Sequence, residues 1–259
     1  MPWSRRGVPD GHDTPYPSTY DAPRRGAAAD AVVTATIHPC MTAATLEGLT
    51  PHAQLDRFRP PAQQAKALVD IARDPRGCVT AAVLTQPGTH DPAPPRAREP
   101  GHEPGRDRLV GYAAFHPPSD VESWGDDRSG RLVELGAVEV APELRGQRLA
   151  ERMLDASFAD GRFDDTVVFA TLYVWHYDLA RTGLGDLAYR RMLERLYRSA
   201  GLVPYPTGDL EVRSSAANAL MARIGPDAPE EVVAEFHRLR KRGSFPPVAS
   251  SPGAAGGGW

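Results

Sequence analysis

The distribution of proline constrains this chain most, because it separates a body that can fold from three segments that cannot form regular structure. Residues 1–27, 86–107 and 244–259 hold 14 of the 26 prolines, although they make up only a quarter of the 259 residues. Segments of this composition bury too little apolar surface to offset the entropy lost on ordering. We therefore expect disordered tails at 1–27 and 244–259. Between them we expect one domain, 28–243, which carries a flexible insertion at 86–107.

Within this body, the pattern of apolar residues predicts a mixed α/β domain. Runs of strand length rich in β-branched and apolar residues predict strands at Ala31–Ile37, Cys78–Leu84, Leu109–Phe115, Arg131–Val140, Thr166–Trp175 and Ala219–Ile224. Apolar residues at helical spacing predict helices at 41–49, 60–73, 146–159, 184–200 and 229–242. Strands and helices do not alternate strictly along the chain, which argues against a doubly wound parallel sheet.

Composition and charge exclude several classes of protein. Hydrophobic residues at 41% and charged residues at 24% are typical of globular proteins. No apolar run approaches the length of about 18 residues that a membrane span needs, and the first residues lack the apolar core of a signal peptide. A net charge of −3 provides no general attraction to nucleic acid. We expect a cytoplasmic protein with neither a membrane nor a nucleic-acid partner.

The two cysteines, Cys40 and Cys78, form no C-x-x-C motif. They are too few for a disulfide framework or for a zinc site made of thiolates. Metalloprotease and hydrolase motifs are also missing from the sequence. We therefore expect no metal.

The stretch with the clearest chemical meaning runs from a strand through a proline-containing turn into a helix. It reads Val140-Ala-Pro-Glu-Leu-Arg-Gly-Gln-Arg-Leu-Ala150. The first N–H groups of a helix are unpaired and lie at the positive end of its dipole, so they attract anions. Gly146 allows an anion to approach the backbone, while Arg145 and Arg148 add positive charge. The pattern predicts an anion-binding site, with an ordinary solvated turn as the alternative.

This stretch resembles the pyrophosphate loop of the GCN5-related N-acetyltransferases (GNAT), usually written Q/R-x-x-G-x-G/A. Arg145 occupies the first position of that pattern and Ala150 the last. Arg148 stands where the pattern has glycine, which is a departure. The order of the predicted elements is also similar to the order in that superfamily.

A closer resemblance is to the acetoin-utilisation acetyltransferases (AcuA type). It is carried, in the same order along the chain, by Phe58–Pro61, Leu132–Arg145, Trp175–Leu179, Ala217–Gly225 and Glu235–Arg240. These runs extend over about residues 55–240 and are together more specific than the loop alone.

The resemblance implies a single-domain GNAT acyltransferase fold, in which a mixed, mostly antiparallel sheet is flanked by helices. It implies acetyl-CoA as co-substrate, with its pantetheine along strand Arg131–Val140 and its pyrophosphate on the loop. The cofactor-binding residues would be Val138, Val140, Arg145, Gly146, Gln147, Arg148, Leu149 and Ala150.

The resemblance also implies a function. It points to a protein lysine acetyltransferase that acetylates and thereby inactivates acetyl-CoA synthetase. Two alternatives stay open, a small-amine N-acetyltransferase and a non-catalytic subunit that senses acetyl-CoA and binds the synthetase. The sequence does not indicate an oligomeric state.

Transfer of an acetyl group to lysine calls for a general base, because removing the proton of an ordinary lysine at pH 7 costs about 4–5 kcal/mol. Glu134, eleven residues before Arg145, resembles the general-base glutamate of histone-type members. Glu139 is the rival candidate. Side chains five positions apart face opposite sides of a regular strand, unless a β-bulge changes the alternation.

The leaving thiolate calls for a proton donor. Tyr197, in Tyr-Arg-Ser-Ala-Gly-Leu, resembles the tyrosine that often serves as general acid in the superfamily. Tyr189 is its competitor, although its spacing with neighbouring leucines favours a place in the core. His176 could move a proton or shape the lysine channel, or it could be held by Asp178 or the backbone.

Overall fold

The structure is a computed structural model that describes residues 35–85, 107–120 and 122–242. The tails expected at 1–27 and 244–259 therefore lie outside the described residues. The same holds for the insertion expected at 86–107, apart from Asp107. The start of the first predicted strand, 31–34, also falls outside them.

The described residues form one sheet of eight strands, in the order β1-β3-β4-β5-β6-β8-β7, with β2 beside β4. The strands are β1 (Thr36–His38), β2 (Thr50–Pro51), β3 (Cys78–Leu84), β4 (Arg108–His116), β5 (Leu132–Val140), β6 (Val167–Leu172), β7 (Val203–Tyr205) and β8 (Ala219–Ile224). Neighbouring strands are antiparallel except for two parallel pairs, β2–β4 and β5–β6. The predicted class, a mixed and mostly antiparallel sheet with helices, is confirmed.

Seven α-helices accompany the sheet in the described ranges, namely α1 (Ala43–Glu47), α2 (Pro61–Arg73), α3 (Leu149–Phe158), α4 (Leu179–Thr182), α5 (Asp186–Ser199), α6 (Leu210–Arg213) and α7 (Glu230–Leu239). The five predicted helices are present as α1, α2, α3, α5 and α7. Helices α4 and α6 have four residues each, which is too short for an apolar repeat to reveal them. No helix in these ranges is both long and apolar enough to cross a membrane.

Aromatic side chains pack on both faces of the sheet. On one face, Phe115 of β4 contacts Phe158 of α3, with ring centroids 5.7 Å apart. On the opposite face, Trp124 stacks on Phe169 of β6 at 4.3 Å and on Phe236 of α7 at 5.8 Å. The sheet is therefore enclosed by helices on both sides, as expected for an α/β domain.

A disulfide joins Cys40 to Cys78. We expected no disulfide framework, and two cysteines 38 positions apart gave no local signal for a bond. They meet because β1 pairs antiparallel with β3, so the residues that follow His38 lie beside the start of β3, where Cys78 is the first residue. The bond is a product of strand pairing, which cysteine spacing does not encode.

Candidate active site

The site is a cleft that opens where β5 and β6 separate. The two strands are paired only between Leu132–Glu134 and Val167–Phe169, and beyond those residues they diverge. A cavity of about 570 Å³ occupies the gap. It is bordered by residues 135–140 of β5, by Thr171–Tyr173 at the end of β6, by the start of α3 and by one side of α5. The predicted strand 166–175 is thus too long, since β6 ends at Leu172 and residues 174–176 form a 3₁₀ turn.

The loop between β5 and α3 has the backbone geometry of an anion site. Gly146 has φ of +82°, and no atom lies within 4 Å of where its Cβ would be. Arg148, the departure from the glycine of the pattern, adopts φ of +55°. Arginine therefore takes the left-handed conformation that glycine would adopt more readily. The first hydrogen bond into α3 runs from Arg152 N–H to Arg148 carbonyl, so within the described residues the N–H groups of 146–150 have no acceptor.

Most of the residues predicted to hold acetyl-CoA border this cavity. Seven of the eight do so, Val138, Val140, Arg145, Gly146, Arg148, Leu149 and Ala150. Gln147 is exposed and does not border the cavity. The sequence did not single out Arg195, which reaches the cavity from α5, because nothing in the local pattern sets it apart from the other arginines of that helix.

Arg145 has a role that the motif does not predict. Its guanidinium donates to a carboxylate oxygen of Asp178 at 2.8 Å and to the Val140 carbonyl at 3.3 Å. Asp178 is only 5% exposed, whereas the Arg145 side chain is 34% exposed, so the ion pair is buried at its carboxylate end. Arg145 therefore ties the loop to the segment that follows β6.

A β-bulge at Gly136 changes which side of β5 the two candidate glutamates face. Glu139 is in register with Tyr112, whereas Glu134 is in register with His116, four residues further along β4. Because Tyr112 and His116 point to the same face, so do Glu139 and Glu134. The expectation for a regular strand is therefore wrong here. Glycine suits the bulge, since a Cβ at position 136 would lie 2.2 Å from the His116 ring.

Glu134 is half-buried at the point where β5 and β6 separate. It accepts no hydrogen bond from the described residues. Burial, and then the negative charge of Glu122, raises the pKa of Glu134 to about 7. Glu134 itself does not line the cavity, but its neighbour Leu135 does. Its carboxyl group is therefore close to half ionised at neutral pH and free to exchange a proton.

Glu139 lines the cavity but is fully engaged by neighbours. Its two carboxylate oxygens accept hydrogen bonds from the Tyr112 hydroxyl at 2.7 Å and from the Arg57 N–H at 2.9 Å. Burial raises the pKa of Glu139, while these two hydrogen bonds counteract that shift. Of the two candidates, Glu139 is therefore the one whose carboxylate holds neighbouring groups in place.

Both candidate tyrosines reach the cavity. Tyr197 is buried, and burial, followed by the nearby Tyr189 and Tyr177, raises the pKa of Tyr197 above its ordinary value. Tyr189 stacks on Tyr177 with ring centroids 4.6 Å apart. Tyr177 donates its hydroxyl to the Ala217 carbonyl at 2.5 Å. Tyr197 is thus the more deeply enclosed of the two hydroxyl groups.

His176 belongs to an aromatic group at the edge of the cavity. Its ring meets Phe58 edge-on at 5.6 Å, and Tyr173 stacks on Trp175 at 4.3 Å. Burial and the charge of Arg57 lower the pKa of His176. Asp178, which was a candidate partner for this histidine, pairs with Arg145 instead.

Two parallel strands that diverge around a cavity, with a helix after the first of them and a loop whose N–H groups have no acceptor among the described residues, are the arrangement of the GNAT fold that the sequence resemblance implies.

Comparison with known proteins narrows the class to a family. Acetoin utilization protein AcuA of Bacillus subtilis is 35% identical over 195 residues, which cover 75% of this chain and 83% of that protein. The protein of the same name from Bacillus licheniformis is 34% identical over 194 residues, 75% of this chain and 82% of its own. A crystal structure of an acetoin utilization protein from Exiguobacterium sibiricum is 34% identical, with a TM-score of 0.69 over 80% of this chain and 88% of that one. No protein-family model matches the sequence. The chain belongs to the AcuA family of acetoin utilization proteins.

Proposed function

We propose that this enzyme transfers the acetyl group of acetyl-CoA to the side-chain amine of a protein lysine, and that acetyl-CoA synthetase is its substrate. The observation that carries the proposal is the carboxyl group of Glu134, which is half-buried where β5 and β6 separate, next to the cavity residue Leu135, and whose pKa burial raises to about 7. A base of this pKa suits removal of a proton from an amine near neutral pH.

The charge around the cavity favours a cationic acceptor. Burial, together with the negative charges of Asp209, Glu211, Glu122 and Glu134, raises the pKa of the cavity residue Tyr173. Four carboxyl groups are therefore close enough to Tyr173 to act on its hydroxyl group. A protonated lysine is attracted to such a region before it gives up its proton.

Different residues of the cleft would serve the different steps of acetyl transfer. Acetyl-CoA supplies the acetyl group as a reactive thioester. The N–H groups of 146–150 and the Arg148 side chain would hold its pyrophosphate, and Arg195, which borders the same cavity, adds a further cation. Glu134 takes the proton from the lysine nitrogen, and Tyr197 returns one to the leaving sulfur. Backbone N–H groups near Val138 polarise the thioester carbonyl.

The relatives are named for acetoin utilization, which supports a role in acetoin metabolism. Acetyl-CoA synthetase as the protein partner is what the sequence resemblance implies. Such a partner would place both proteins in the cytoplasm. Two other functions would use the same cleft, acetylation of a small amine and binding of acetyl-CoA without catalysis.

The decisive experiment incubates the protein with acetyl-CoA and the acetyl-CoA synthetase of its own cell, and maps acetylated lysines by mass spectrometry. We expect one lysine of the synthetase to be acetylated, with loss of synthetase activity. Glu134→Gln should abolish most of this modification. Acetylation of free diamines but not of the synthetase would establish the small-amine function. Tight binding to the synthetase without acetylation of anything would establish the sensor.

A further inference from the structure

The side chain of Arg57 connects two parts of the chain that are about 120 residues apart. Arg57 lies in the loop before α2, and its guanidinium donates to three successive carbonyls. The acceptors are Trp175 at 3.1 Å, His176 at 2.9 Å and Tyr177. The planar guanidinium has five N–H donors in a fixed geometry, so one side chain can satisfy several carbonyls at the end of a turn. We refer to these three hydrogen bonds as the Arg57 clamp.

The backbone of Arg57 is itself held from the centre of the sheet. Its N–H donates to Glu139, and the second carboxylate oxygen of Glu139 accepts the Tyr112 hydroxyl. Glu139 and Tyr112 are only 5% and 0% exposed. A buried carboxylate whose two oxygens are both hydrogen-bonded fixes the groups that bind it, because breaking either bond leaves charge without a partner.

The parts joined by the clamp form one wall of the cavity. Arg57, Phe58, His176 and Tyr177 all border it, and Phe58 contacts the His176 ring directly. Asp178 is anchored separately, on Arg145. Val174 and Tyr177 keep their own hydrogen bonds to Asn218 and Ala217. Loss of the clamp should therefore loosen chiefly the turn at Trp175 and His176, while leaving the loop between β5 and α3 in place.

We infer that Arg57 is a positioning residue, which holds Phe58 and His176 as the wall past which the acceptor amine enters, and that Glu139 serves this wall by fixing the Arg57 backbone. This inference rests on the proposed function for the identity of the acceptor. It makes Glu139 a structural partner of the wall instead of the proton acceptor.

The first test needs no substrate. Hydrogen exchange followed by mass spectrometry reports on the amides of His176 and Tyr177, which bond to the Tyr173 and Val174 carbonyls. In Arg57→Gln we expect the peptide that contains these two amides to exchange about tenfold faster. The segment can then open locally without the cost of breaking the hydrogen bonds of the Arg57 clamp. Arg57→Lys keeps the positive charge but lacks the planar guanidinium with its five N–H donors. The same peptide should therefore exchange almost as fast as in Arg57→Gln. Arg59→Gln, an exposed arginine two positions away, is the matched control and should leave exchange unchanged.

The second test is kinetic. Arg57→Gln should raise KM for a lysine peptide several-fold, while calorimetry shows acetyl-CoA affinity within about twofold of the parent. Glu139→Gln should accelerate exchange of the same peptide and should keep the dependence of rate on pH.

The outcomes separate this inference from the proposed function. Unchanged exchange in Arg57→Gln, or equal loss of affinity for acetyl-CoA and for the peptide, overturns the positioning role. Faster exchange in an enzyme that acetylates no lysine in any protein would refute the proposed function but keep the clamp as a structural device. Loss of the pH dependence in Glu139→Gln would overturn the assignment of Glu139.

Discussion

The two sides of the cleft are built in different ways. The donor side, residues 135–150, is one continuous stretch of strand, loop and helix start, and its shape depends on local backbone angles such as φ of +82° at Gly146. On the opposite side, which we propose receives the acceptor, hydrogen bonds across about 120 residues join the wall at Arg57 and Phe58 to the segment 175–177. Glu134 lies where β5 and β6 separate and has no part in these bonds. Local geometry can be recognised in a sequence, whereas contacts between distant segments cannot.

This difference predicts different consequences for substitutions. Changes on the donor side should mainly alter the affinity for acetyl-CoA, because that side offers N–H groups and cations to phosphate. Changes on the acceptor side should mainly alter the rate of transfer or KM for the amine.

The largest effect is expected for Glu134→Gln. Removal of a general base lowers rates by about 10²–10⁴-fold, so kcat at pH 7 should fall by that range while acetyl-CoA affinity stays unchanged. Steady-state kinetics with a lysine peptide and calorimetry with acetyl-CoA measure the two quantities. Glu139→Gln is the matched control, and its kcat should fall far less. A greater loss of kcat at Glu139 would transfer the role to that residue.

The same substitution should stabilise the folded protein at alkaline pH. Burial raises the pKa of Glu134 from 4.5 to about 7. The folded state thus holds the proton more tightly than the unfolded state. This contribution to stability is complete below about pH 4.5 and is lost as the pH rises through 7. Glutamine does not ionise, so the free energy of unfolding of Glu134→Gln should exceed that of the parent by about 3 kcal/mol at pH 8 and equal it near pH 4.

Urea unfolding at the two pH values measures this difference. A variant that is less stable than the parent at pH 8 would show that ionised Glu134 has a favourable partner in the folded state. The raised pKa would then be wrong, and so would the advantage of Glu134 as a base.

On the donor side, Gly146→Asp should weaken acetyl-CoA binding at least about tenfold, because it places a carboxylate at an anion-binding helix start. The residue has open space around it, so the effect reflects charge and backbone conformation instead of a clash. Gly130→Asp is the matched control, since Gly130 also has a positive φ, +66°, and open surroundings. Calorimetry should find normal affinity there, and unchanged affinity in both variants would remove the anion site.

The smallest effect is expected for Tyr197→Phe. A thiolate is already a good leaving group at neutral pH, so loss of the proton donor should lower kcat only about tenfold. Acetyl-CoA affinity should be unaffected. Tyr189→Phe should change kcat by less than about twofold. Reversal of the two results would identify Tyr189 as the proton donor.

The parts that could be predicted are those in which neighbours along the chain decide the structure. Five helices and the strands that carry the cleft follow from apolar periodicity, and the loop of 145–150 follows from its motif. Even Arg148, which breaks that motif, keeps the left-handed backbone at φ of +55°.

The parts that escaped prediction depend on pairing between distant strands and loops. The bulge at Gly136, which turns Glu134 and Glu139 to one face, exists only in the register between β4 and β5. The Cys40–Cys78 disulfide depends on the pairing of β1 with β3. The Arg57 clamp joins residues that no local pattern relates.

We propose that Glu134 removes the proton from the acceptor amine. The most direct test of this role is the dependence of kcat/KM on pH, measured with a lysine peptide for the parent enzyme, Glu134→Gln and Glu139→Gln. In the parent, kcat/KM should rise with pH through an apparent pKa of about 7, well below the pKa of about 10.4 of the lysine itself. This rise should persist in Glu139→Gln and disappear in Glu134→Gln. A rise near pH 7 that survives in Glu134→Gln would show that a group other than Glu134 removes the proton.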